Sequence, residues 1–142
     1  TARPRVMHAE RTFWEKATAI HVFCHQDRLR GDRFARHWHD VARLDEAGLA
    51  DAAFADRELA NAVARHKSMF FAEKAADRSP IDYGAAVNGG LQLVPAGDGA
   101  KALEDDYARM VEDGLLFDDA EPFEALMARC ADIAARANST AK

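Results

Sequence analysis

The sequence predicts an all-α fold, a single helical bundle of about five helices with one irregular Gly/Pro-containing loop. Three observations predict it. Alanine is abundant while Val, Ile and Thr are sparse, which favours helix over strand. Apolar residues recur at spacings of three and four along most of the chain. Turn and breaker residues gather mainly between Ser79 and Gly97. With 142 residues, 49% apolar and 30% charged, the chain can bury a core without a disulfide or metal staple.

A first helix is expected from about Ala9 to Asp27, where Phe13, Ala17, Ile20 and Cys24 form a stripe widened by Trp14 and His21. The basic stretch Arg28-Leu29-Arg30-Gly31-Asp32-Arg33 breaks it. A second helix runs from about Arg33 to Ala47, with Phe34, Trp38, Val41 and Leu44 or Asp45 along one side. Gly48 stands at its C-cap. Asp51 to Ala55 reads as a short turn of helix. Asp56 then caps a long helix to about Ala76, supported by Leu59, Val63, Phe70 and Phe71.

Ser79 to Gly97 is read as irregular, with Leu91-Gln92-Leu93-Val94 as a brief extended piece that makes no sheet. Asp98 is placed as the cap of a helix to about Asp113, with Leu103, Tyr107 and Met110 inward and Gly114 ending it. Pro122 opens a last helix whose apolar face is Phe123, Leu126, Met127, Cys130, Ile133 and Ala137.

No apolar run approaches the roughly 18–20 residues that cross a bilayer, and no apolar stretch follows the basic N-terminus, so no membrane role is expected. Two cysteines, Cys24 and Cys130, suit a reducing compartment, and a cytoplasmic location is the expectation. The net charge of −5 is unevenly spread. Residues 1–43 hold nine Lys/Arg against five Asp/Glu and five of the six histidines, while the remainder holds ten against nineteen. The acidic total excludes a wholly basic nucleic-acid wrapper but allows one basic face for a phosphate-bearing ligand.

Most chemical motifs are missing. Gly84 to Gly90 has neither Walker nor GxGxxG spacing. His21 and His25 share a helix face, as zinc ligands do, yet no Glu follows the first as a base, so no metal site is assigned. His37 and His39 lie about 200° apart on a helix and cannot chelate together. Ser68, Ser79 and Ser139 lack a nucleophile elbow, and neither cysteine has an activating setting. Glu104-Asp105-Asp106 and Asp118-Asp119 read as solvated charges.

Two polar residues stand apart. Lys16 lies at the margin of the first apolar stripe, where its stem can snorkel along the core. Asp40 lies off the Phe34/Trp38/Val41 face. Antiparallel packing of the first two helices would let both line one cleft. Alternatively, Asp40 pairs locally with Arg36 at i−4 or Arg43 at i+3.

The segment Glu10-Arg11-Thr12-Phe13-Trp14-Glu15-Lys16, then Arg36-His37-Trp38-His39-Asp40-Val41, resembles the AbiEii/AbiGii toxin family of nucleotidyltransferases. His66-Lys67-Ser68-Met69-Phe70-Phe71 is similar to its H-K-x-x-F-F stretch, and Asp106-Tyr107-Ala108-Arg109-Met110 to its D-Y-x-x-M helix. Trp38 replaces the family's common Tyr, and Val41 its common Leu. The resemblance implies a toxin–antitoxin and phage-defence enzyme that transfers a nucleotide from an NTP to an RNA such as tRNA. It implies Lys16 as the contact to the nucleotide's triphosphate and Asp40 as catalytic base, with Arg36 and Lys67 as phosphate or RNA contacts. An antitoxin partner is also implied.

The family's Gly-Ser turn and Asp-x-Asp/Glu pair, carried on a small sheet, have no counterpart here. Mg²⁺ is therefore expected only in a full-length enzyme, held by that missing lobe and not by these residues. Because position 1 is Thr, residues 1–142 are expected to form the C-terminal helical domain of such an enzyme, inactive alone. The alternative is a non-catalytic helical module that binds an antitoxin or RNA through Phe70, Phe71 and the basic N-terminal third.

Overall fold

A computed structural model describes residues 4–26, 34–114 and 121–141. The basic stretch Arg28 to Arg33 and the acids Asp118 and Asp119 lie outside the described residues. The fold is all-α, with seven helices among the described residues: α1 Pro4–Gln26, α2 Arg36–Glu46, α3 Leu49–Ala55, α4 Arg57–Phe70, α5 Tyr83–Val87, α6 Gly97–Glu112 and α7 Phe123–Ala141. The count exceeds five because two short helices, α3 and α5, are fully formed.

α1 is the axis of the bundle and packs against α2, α3, α4 and α5. It starts five residues earlier than the apolar stripe suggests, with Pro4 in its first turn, where the missing N–H costs nothing. From Ala17 to Phe23 every residue but Ala19 is buried. A helix enclosed this far must satisfy its polar groups internally. Thr18 donates its hydroxyl to the Trp14 carbonyl at 2.7 Å, and His21 Nδ1 accepts the Gln92 N–H at 3.1 Å.

Two aromatic clusters hold α1 to its neighbours. Phe13, Trp14 and Phe54 meet edge-on with centroids 5.4–6.0 Å apart, and Trp14 Nε1 donates to the Ala53 carbonyl at 3.0 Å. Phe23, Phe34 and Trp38 form the second, with centroids 5.3–5.6 Å apart. Each of these large side chains contributes about 1.5–3 kcal/mol by burial. α2 runs antiparallel to α1, since Phe23 meets Trp38 while Lys16 meets Asp40.

Several boundaries follow local chemistry. Gly48 adopts φ +82° after α2, the left-handed C-cap conformation that favours glycine. Asp56 caps α4 by accepting the Leu59 N–H at 3.0 Å. α4 stops at Phe70 rather than continuing to Ala76, because the following backbone is claimed elsewhere. Ala76 N–H bonds the His25 carbonyl, Gln26 Nε2 donates to the Lys74 carbonyl, and Lys74 bridges Pro80. Phe70 and Phe71 therefore lie outside the core and are exposed.

α5, inside the segment expected to be irregular, is capped by Asp82, which accepts the Ala85 N–H. Leu91 to Val94 belongs to no helix or strand, with Leu91 and Leu93 buried and Gln92 and Val94 exposed. Asp98 does not cap α6. The N-cap is Ala96, and Asp98 lies in the first turn, where a carboxylate suits the helix dipole. α7 buries Leu126, Cys130, Ile133 and Ala137 as the periodicity predicts. No helix among the described residues is long and apolar enough to cross a membrane.

Trp38 is fully buried and its Nε1 donates to the Leu93 carbonyl at 2.7 Å, tying that segment to α2. Trp38→Phe removes that donor and is expected to lower stability by about 1–3 kcal/mol in urea unfolding. A loss below about 0.5 kcal/mol would mean that this bond contributes little to the fold.

Candidate active site

Lys16 projects from α1 between the two aromatic clusters, one turn from the buried Phe13 and one from the buried Ile20. Asp40 projects from α2, off the face that buries Trp38, Val41 and Ala42. Lys16 Nζ and Asp40 Oδ2 lie 3.0 Å apart, with side chains 26% and 30% exposed. Two residues separated by 24 positions thus meet at the surface, each with its stem in the protein and its charge open to solvent. The competing local arrangement is not adopted by Arg43, which pairs with Glu46 at 2.7 Å.

Lys67 approaches from α4. Its ammonium donates to the Glu15 carbonyl at 3.3 Å, next to Lys16 in the chain, and stands 5.6 Å from the Phe71 ring centroid. Burial holds its pKa below the ordinary lysine value, opposed by the carboxylates of Glu15 and Glu73. Arg36 is exposed one turn before Asp40.

The residue that links these four is His37, one turn ahead of Asp40 on α2. Its ring packs edge-on against Phe34 with centroids 4.8 Å apart, and its Nδ1 is buried with no hydrogen-bond partner. Its pKa is lowered to about 4, first by burial and then by the Lys16 ammonium; Asp40 opposes, and Arg36 and Lys67 reinforce. The imidazole is therefore neutral at pH 7. All four residues singled out from the sequence act on this one ring. In the sequence His37 stands out only as a member of the Arg36-His37-Trp38-His39-Asp40 motif and as a residue that cannot chelate together with His39. The available signal was its i, i+3 spacing to Asp40, which puts both on one helix face.

The Lys16–Asp40 pair thus stands in a neighbourhood where the charges of Arg36 and Lys67 are also felt and the His37 imidazole is neutral. It can bind a polyanion by exchange: an arriving phosphate replaces Asp40 as partner of Lys16 and leaves the carboxylate free to accept a proton. The donor set does not fit Mg²⁺. Asp40 is engaged by an ammonium, the Glu15 carboxylate pairs with Arg11 at 3.4 Å, and no group of three His, Cys, Asp or Glu suited to a metal occurs among the described residues. His21 and His25 stack with centroids 4.4 Å apart, and the Nδ1 of His21 is occupied by backbone. Burial also raises the Cys130 thiol to about 12, which leaves it unreactive.

The Asp106-Tyr107 pair has a positional role. Asp106 is buried, not solvated, and its Oδ2 accepts the Ala35 N–H at 2.8 Å, at the N-terminus of α2. A carboxylate there complements the helix dipole and fixes the start of the helix that carries His37 and Asp40. Tyr107 donates its hydroxyl to the Glu121 carbonyl, joining α6 to the approach of α7.

His21 shares the low value of His37, about 4, because of burial and the neighbouring His25, opposed by Asp82. Unfolding returns both imidazoles to about 6.5, so the unfolded chain binds more protons between about pH 6.5 and 4. Stability is thus fullest above that window and declines as pH falls through it. Urea midpoints are expected to drop from about pH 7 to about pH 4.5, less steeply in His37→Gln; equal slopes in the two proteins would contradict the buried, neutral His37.

The family model described as "Nucleotidyl transferase AbiEii toxin, Type IV TA system" matches residues 1–129. No curated protein and no solved structure matches the chain. With nine-tenths of its length matched, and with the family's motif residues gathered on α1, α2, α4 and α6, the chain belongs to the AbiEii nucleotidyl transferase toxin family.

Proposed function

We propose that this chain is the helical part of a toxin that transfers a nucleotide from an NTP to an RNA such as tRNA, in a system where an antitoxin restrains it. The observation that carries the reading is the half-exposed Lys16–Asp40 pair at 3.0 Å, with Lys67 and Arg36 beside it. Lys16 takes the triphosphate of the incoming nucleotide, and Arg36 and Lys67 take phosphates of the nucleotide or the RNA.

Once the phosphate holds Lys16, Asp40 accepts the proton of the attacking RNA hydroxyl. That oxygen bonds to the α-phosphorus, the bond from this phosphorus to the bridging oxygen breaks, and pyrophosphate leaves with the electron pair. The lysine offsets charge on the departing phosphates, and the carboxylate acts as base. The neutral His37 adds no charge to a site already rich in cations. In this reading residues 1–142 are one domain of the enzyme, and the carboxylates that hold Mg²⁺ belong to a separate lobe.

In the protein as encoded, Lys16→Ala and Asp40→Ala are each expected to lower transfer of labelled nucleotide to RNA by at least about 100-fold. Far-UV circular dichroism should be unchanged, since a half-exposed ion pair contributes only about 0.2–1 kcal/mol. Wild-type transfer rates in both variants would reject the catalytic assignment and favour a binding module.

A further inference from the structure

Three consecutive large apolar residues close α4, Met69 and Phe70 in its last turn and Phe71 as its C-cap, and they are 73%, 66% and 55% exposed. These are the most exposed large apolar side chains among the described residues. They are not scattered. The His66 ring lies 4.9 Å from Phe70 and 5.8 Å from Phe71, so three rings form one shelf at the end of the helix. Core packing does not explain them, because α4 turns its buried face, Ala60, Val63 and Ala64, the other way.

The shelf is continuous with the ion-pair site. Lys67 stands over the Phe71 ring and donates to the Glu15 carbonyl, one residue from Lys16. π faces flanked by a cation match a single strand, whose bases stack while the backbone beside them is anionic. Lys16 and Arg36 add positive charge in the same neighbourhood, since their fields and that of Lys67 all act on His37. The openness of the two phenyl rings, more than half exposed, suits bases on a strand better than a lone mononucleotide, which binds in enclosed pockets.

We propose that His66, Phe70 and Phe71 stack unpaired bases of the RNA acceptor, with Lys67 on the adjoining phosphate, so that the strand's reactive hydroxyl is led towards Asp40. The inference rests on the transferase reading for its direction, but its test is equilibrium binding without any NTP.

The probe is a fluorescein-labelled single-stranded oligoadenylate of about twelve nucleotides, followed by anisotropy with the protein as encoded. Phe70→Ala/Phe71→Ala is expected to weaken binding about 5- to 150-fold for each base that loses its stack, while Phe71→Trp stays within about twofold of wild type. Lys67→Gln should flatten the plot of log affinity against log salt by about 0.7, a slope that the aromatic variants leave alone. ATP affinity should be unchanged in the aromatic variants. Oligoadenylate binding that is absent in wild type or unaltered in the double variant overturns the proposal, leaving the shelf as a protein-docking surface. Parallel loss of ATP and RNA binding overturns it too, by assigning the rings to the mononucleotide.

Discussion

The structure depends on the enclosure of α1. A helix touched by four others cannot present a polar face in its second half, and from Ala17 to Phe23 it scarcely does. Each polar group it carries there is satisfied by a specific partner, Thr18 by Trp14 and His21 by the backbone of Gln92. This requirement fixes the rotation of α1 about its own axis. With the rotation set by Phe13, Trp14, Ile20 and Phe23, Lys16 has one direction left in which its ammonium reaches solvent, and that direction faces α2.

The position of α2 is determined from both ends. Trp38 and Val41 bury against the core, the Trp38 indole is tied to the Leu93 carbonyl, and the carboxylate of Asp106 holds the Ala35 N–H at the helix start. None of these contacts involves Asp40, yet together they decide where its carboxylate stands. A site built on rigid helices in this way keeps its geometry without relying on the ion pair, which contributes little to stability when half exposed. The pair is free to exchange partners, as phosphate binding requires.

Charge is divided between two tasks. The basic first third supplies Lys16 and Arg36 to the site, whereas five acids of the remainder, or of the second half of α2, bind two arginines of α7. Arg136 pairs with Asp45, Asp51 and Asp132, and Arg129 with Glu46 and Glu121, linking α7 to α2 and α3. These networks hold the last helix against the bundle and leave the neighbourhood of Lys16 positive. That polarity is what a polyanionic ligand needs on approach.

The helical class, the registers of α1, α2 and α7, and the caps at Gly48 and Asp56 were legible in the sequence, because they depend on periodicity and local backbone chemistry. Lys16 and Asp40 were legible as unusual, since one sits at the margin of an apolar stripe and the other lies off the apolar face of its helix within a motif that carries the resemblance. The end of α4 was not, because Phe70 and Phe71 continue its apolar pattern while the hydrogen bonds that stop it come from His25 and Gln26, far away in sequence. α5 escaped notice because five residues carry too little periodicity, leaving only the Asp82 cap as a signal. The partial burial of His37 and the full burial of Asp106 were decided by packing alone. A helical pattern tells which residues share a face but not which helix will cover it. That choice rests on non-local contacts, and here it left the His37 imidazole neutral among charged residues and made Asp106 the anchor of α2.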